Sequence, residues 1–152
     1  MQSAVASRRF ARFGLVLVIA LGLLAFNAPR ADAATSTEKK MASYINQARA
    51  SAGRAGLTFS NVLSDYARKH SATMASKDKL YHNPYLAKWL SGFDWNILGE
   101  NVGVGPSISS LHNAFMASPG HRANNLDKRF RKVGVGVVTK NGRIWITVIF
   151  KG

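Results

Sequence analysis

Met41, Tyr44, Ile45 and Ala48 recur at helical spacing, which predicts a first helix that packs by a single apolar stripe. Thr35-Ser36-Thr37-Glu38 has the spacing of a capping box at its start, and Gly53 and Gly56 mark its end. After Leu57 to Phe59 a second helix opens at Ser60 or Asn61, with Leu63, Ala67, His70 and Met74 along its inner face. At that spacing His70 reads as a hydrogen-bonded core histidine. From Lys77 to Trp95 the periodicity gives way to turn residues and aromatics, predicting a long ordered loop with a short helix near Tyr85 to Leu90. Tyr81, Tyr85, Trp89, Phe93 and Trp95 are expected to plug the core from outside, with the lining of a binding surface as the other reading.

Ile97 to Val104 alternates weakly and predicts a strand ended by Gly103, Gly105 and Pro106. Ile108, Leu111 and Phe115 mark a short helix, with His112 beside the stripe and expected to be exposed. The clearest signal is last: Gly134 to Thr139, then Lys140-Asn141-Gly142, then Ile144 to Phe150. Asn-Gly between two β-branched runs predicts a hairpin. The glycines of Val133-Gly134-Val135-Gly136-Val137 do not have the spacing of a phosphate-binding loop and are read as sites of close backbone approach. Helices first, one strand and a closing hairpin give an α+β class, helices covering a small, mainly antiparallel sheet.

The start of the chain changes the picture. Arg8, Arg9 and Arg12 precede an apolar run from Phe13 to Phe26, and Ala31-Asp32-Ala33 offers a small-residue cleavage site. Residues 1–33 are expected to be a cleaved signal peptide, leaving 34–152 as one secreted domain, extracellular or at the cell wall. The run is too short to span a bilayer, and no transmembrane segment is expected after cleavage. Ser7-Arg8-Arg9-Phe10 is a loose match to a twin-arginine signal, and general secretion is the expected route. The chain has no cysteine, so the domain must be held by packing without disulfides. Its net charge of +14 favours anionic surroundings, and part of the excess clusters at Lys128, Arg129, Arg131 and Lys132.

Candidate chemistry gathers between Leu98 and Leu126. Glu100 is set among apolar residues, where an unpaired carboxylate is expensive to bury, so it needs partners. His121, after the Ser118-Pro119-Gly120 turn signal, can be aimed back into the fold, and His82 precedes Asn83-Pro84. The ordered set made by the Leu63/Ala67/His70/Met74 helix, His82, Gly99-Glu100-Asn101-Val102, Ser118-Pro119-Gly120-His121-Arg122-Ala123-Asn124, and Val133-Gly134-Val135-Gly136 with Trp145 and Phe150 resembles the CAP superfamily, also called SCP-like, in its short bacterial form. The resemblance runs from about Glu38 to Phe150.

It implies a three-layer α-β-α sandwich whose cleft residues here are His82, Glu100 and His121, with Asn101 and Arg122 bracing the loops beside them. The same three are the candidate ligands for a divalent cation, zinc or magnesium. Many relatives carry a second glutamate before the later histidine, whereas this chain has no acid between Glu100 and Asp127. Phe115 stands where relatives often have tryptophan, and Asn125 where an aliphatic is usual; both read as packing variations.

The resemblance favours a secreted binding module whose cleft, with or without a cation, engages an extracellular ligand such as a lipid or cell-envelope component. Two other readings stand beside it. One is a metal-dependent hydrolase using the same cleft, since two imidazoles and a carboxylate suit zinc. The other is a basic module holding anionic wall polymer through Lys128, Arg129, Arg131 and Lys132. As a purely structural possibility, the three cleft residues form a hydrogen-bonded network that fixes loops on the sheet. Nucleic acid is not an expected partner: the chain reads as exported and lacks a nucleic-acid module.

Overall fold

A computed structural model describes residues 35–152; the expected leader lies outside the described residues. Within them the elements follow in the order α1 (Ser36–Ser51), β1 (Thr58–Phe59), α2 (Asn61–Lys77), α3 (Leu86–Trp89), β2 (Leu98–Gly105), α4 (Ile108–Ala117), α5 (Pro119–Leu126), β3 (Lys132–Lys140) and β4 (Arg143–Lys151). The sheet order is β1-β3-β4-β2, parallel only where the short β1 meets β3. The described residues are mixed α+β, as their pattern predicts, and none of their helices is long and apolar enough to cross a membrane.

Period-two alternation on β4 separates the layers. Ile146, Val148 and Phe150 join Met41 and Ile45 of α1 and Leu111 and Phe115 of α4 in one core. Trp145 and Ile149 face the other way, into two smaller clusters under α2 built on Leu63 and Ala67 and on Met74 and Ala75. Thus α2 covers one face of the sheet, while α1, α4 and α5 cover the other.

The glycines of β3 let α2 sit directly on the sheet. A Cβ built on Gly134 would lie 2.3 Å from Leu63 Cβ, and one on Gly136 2.0 Å from the Arg68 amide nitrogen. The close approach is that of helix to strand. The hairpin turn is as read: Asn141 and Gly142 both have positive φ (51° and 70°), the two-residue geometry that matches strand twist.

Two differences from the sequence reading have physical causes. Leu57 to Phe59, read as a connection, contains β1, only two residues long and below the length at which alternation shows. Beyond β1, side chains cover the outer edge of β3: Ser64 Oγ accepts from the Val135 amide (3.0 Å) and Glu38 Oε1 from the Val137 amide (3.2 Å). Glu38 closes the predicted capping box with Thr35 and also pairs with Arg68 (2.7 Å), so a helix cap doubles as an edge cap. The second difference is that Ser118-Pro119-Gly120 starts a new helix, α5, with Pro119 in its first turn, where its missing N–H costs nothing.

Candidate functional site

The site is built around the edge strand β2. Consecutive residues of a strand point to opposite faces. Leu98 and Val102 pack in the clusters under α2, which puts Glu100 on that face. Gly99 and Gly103, which approach Phe130 and Leu111, mark the opposite face, which Asn101 shares. The Glu-Asn pair therefore serves the two sides of one strand.

On the α2 side, Glu100 is 9% exposed and receives two hydrogen bonds on Oε1: from His82 Nδ1 (2.8 Å) and from the Asn83 amide (2.9 Å). Its second oxygen, Oε2, is buried without a hydrogen-bond partner. A buried acceptor left open is costly and marks a place where a donor would be welcome. The His82 side chain is 63% exposed, so this pair is open to solvent from the histidine side.

On the other side, Asn101 is fully buried and acts as a clasp. Its Nδ2 donates to the His121 carbonyl and to Asn125 Oδ1 (both 3.1 Å), and its Oδ1 accepts from Asn124 Nδ2 (2.9 Å), which also donates to the Glu100 carbonyl (3.1 Å). These bonds hold α5 on β2 and place His121, half-buried, with its ring centroid 5.0 Å from that of Phe115. Burial, followed by the nearby charge of His82, pushes the His121 pKa down. The two histidines thus sit within electrostatic reach of each other around the strand edge.

The structure brings His82 and Glu100 into direct contact and leaves His121 outside that contact. Among the described residues no three His, Asp or Glu side chains group as a cation would need, so the expected zinc or magnesium set of His82, Glu100 and His121 does not fit as arranged. The reason is local: Oε1 of Glu100 is occupied by two donors, and α5, which carries His121, is fastened through its His121 carbonyl to Asn101 on the other face of β2. What the arrangement offers is a buried hydrogen-bond acceptor beside one exposed and one half-buried imidazole.

Three further expectations are corrected. Arg122 is exposed and its side chain makes no hydrogen bond or ion pair among the described residues, so it does not brace the loops. Asn124 and Asn125 do. Asn125, read as a packing variation, is fully buried; its carbonyl, like that of Asp127, accepts from the buried Arg49 guanidinium (2.9 and 3.0 Å). Polar residues at the buried positions of a short helix were the available signal. His112, expected to be exposed, is half-buried against Tyr44 with Nδ1 unpartnered. His70 behaves as read: buried, its Nε2–H donates to the Tyr81 carbonyl (2.8 Å).

A pH prediction arises here. Burial lowers the pKa of both His112 and His121 below 6.5. The unfolded chain then binds protons that the folded chain refuses, so stability is full above about pH 6.5 and falls as pH drops below it. Urea unfolding at pH 7.5 and 5.5 should show that fall, and His112→Phe should flatten it.

The basic cluster Lys128, Arg129, Arg131 and Lys132 is exposed, but Arg129 is bound to Asp127 (2.6 Å), whose carboxyl is pulled down to about 2, chiefly by the Arg129 side-chain hydrogen bond. One of the four charges is thereby neutralised at close range.

The CAP family model, described as the Cysteine-rich secretory protein family, matches residues 42–150. A curated relative, the uncharacterized protein YkwD of Bacillus subtilis (strain 168), is 32% identical over 115 residues, covering 71% of this chain and 44% of its own length. This chain therefore spans less than half of that relative. Among solved structures, an outer surface protein from Borrelia burgdorferi superposes with a TM-score of 0.68 at 18% identity, over 74% of this chain and 90% of that one. An extracellular protein containing a SCP domain from Bacillus anthracis str. Ames also gives 0.68, at 24% identity, over 76% of this chain and 40% of that one. Both likenesses are likenesses of fold.

Proposed function

Because the chain belongs to the CAP family, the cysteine-rich secretory protein family, we propose that it is a secreted, extracellular or wall-associated binding module, with residues 1–33 as its signal peptide. Its cleft around His82, Glu100 and His121 takes a hydroxyl-bearing lipid or cell-envelope component. The observation that carries this reading is the buried, unpartnered Oε2 of Glu100, a carboxylate fixed by His82 and Asn83 with the exposed His82 imidazole beside it. A ligand hydroxyl donating to Oε2 would satisfy the one oxygen of this carboxylate that the fold leaves without a partner. The relatives support the location: one solved neighbour is described as extracellular and another as an outer surface protein. Family membership and fold alone do not choose the ligand.

The test uses phosphatidylglycerol vesicles, whose headgroup carries hydroxyls, in a flotation assay. The domain should bind saturably, and Glu100→Gln or His121→Ala should weaken binding by about tenfold or more while each variant remains folded by circular dichroism. Retention of binding by both variants, with loss on replacing Arg131 and Lys132 or on adding salt, would transfer the function to the basic face.

A further inference from the structure

A cavity of about 340 Å³ lies under the Lys77 to Trp95 loop, its lining including Thr73, Lys77, Tyr81, Asn83, Tyr85 and Trp89. We infer that this cavity, which adjoins the Glu100 cleft through Asn83, is a second ligand site that binds a pyranose ring bearing a carboxylate.

Four features of its lining carry the inference. Asn83 is 8% exposed and its side chain is held by its Oδ1, which accepts from the Tyr85 amide (2.9 Å); its Nδ2 is buried without a partner. A buried amide donor without a partner is costly, and a ligand acceptor that reached it from the cavity would satisfy it. No acidic residue lines the cavity, whereas Lys77 does, its ammonium 5.7 Å from the centre of the Tyr81 ring. The acceptor is therefore best supplied by an anion.

Tyr85, 59% exposed, and the half-buried Trp89 add flat apolar walls of the kind on which the C–H face of a sugar ring packs. The Thr73 hydroxyl sends its proton to the Lys69 carbonyl (2.8 Å) and keeps lone pairs to accept from a ring hydroxyl. The volume stands at the low end of small-ligand pockets, about 300 Å³ upward, which suits a mono- or disaccharide fragment. The aromatics expected to act as a plug thus form, in part, the wall of a pocket.

The probe is N-acetylmuramic acid, with N-acetylglucosamine as its uncharged counterpart, followed by Trp fluorescence and by calorimetry. Saturable binding of the acid at millimolar concentration or below is expected. The uncharged sugar should bind at least about fivefold more weakly. Lys77→Gln should reduce affinity for the acid about fivefold, and Trp89→Ala about tenfold or more. Because Trp89 also packs on Tyr66 (centroids 6.2 Å apart), Trp89→Phe is included and should retain binding if the fold is kept. His121→Ala should bind the acid as the parent does, which separates this site from the Glu100 cleft whatever the vesicle assay shows. Absence of saturable binding to the parent, equal binding of the two sugars, or full binding by Lys77→Gln and Trp89→Ala would each overturn the inference.

Discussion

Gly136→Ala is expected to destabilise the domain by about 3 kcal/mol or more, the upper range for forcing extra volume into a packed interior. The new Cβ would sit 2.0 Å from the Arg68 nitrogen, 2.2 Å from the Ala67 carbonyl carbon and 2.6 Å from the Arg68 Cα. All three are backbone atoms, so no rotamer change relieves the overlap. Either α2 lifts from the sheet, opening the clusters around Leu63, Ala67 and Ile149, or β3 bends away from β4. Ser71 would be displaced too: its hydroxyl is within hydrogen-bonding distance of the Gly136 carbonyl and Thr147 Oγ1, both at 2.9 Å.

Since small domains are stable by only about 5–15 kcal/mol, the variant should show a large fall in its urea midpoint. Gly120→Ala is the control. Nothing lies within 4 Å of its Cβ position and its φ is not positive. In the first turn of α5, alanine there should be neutral or stabilising by up to about 1 kcal/mol. Equal stability of the two variants would contradict the packing of α2 on β3.

That contact shows what sequence could convey. The alternation of valine and glycine from Val133 to Val137 announces close approach, because glycine in a strand has few other uses, but it does not say what approaches. The capping box at Thr35 and the Asn141-Gly142 turn were legible because both are local: their partners lie within three residues. The Glu100 contacts were not, since His82 and Asn83 come from a loop 18 and 17 positions away, and only the resemblance linked them to the strand.

Other features hid for the opposite reason. Helix α5 is eight residues long and rich in polar side chains, so no apolar stripe announces it. Its buried face is spent on hydrogen bonds through Asn125. The metal set failed at the scale between: adjacent strand residues face opposite ways, so Glu100 meets His82 while Asn101 takes the helix that carries His121.

That division makes Asn101→Ala the most informative substitution for the site. It removes the acceptor of Asn124 Nδ2 and the donors to the His121 carbonyl and to Asn125 Oδ1. Asn124 keeps its bond to the Glu100 carbonyl, but Asn125 is fully buried and its Oδ1 has no second donor among the described residues. With buried groups losing partners at about 1–3 kcal/mol each, a loss of about 3 kcal/mol is expected, read as a lower urea midpoint with an unchanged slope. Amide exchange should speed up first in α5, since the clasp fastens that helix to β2.

Under conditions where the variant is folded, vesicle binding should fall with it, because His121 is no longer held while the His82–Glu100 contact stays intact on the other face. A double-mutant cycle with Asn124→Ala should give a coupling of about 1 kcal/mol or more, as expected for residues sharing one network. Additive effects and unchanged exchange in α5 would mean that the helix is held by Phe115 and Arg49 alone. The two faces of β2 would then be independent, and the histidine that reaches the cleft from α5 would owe its place to packing.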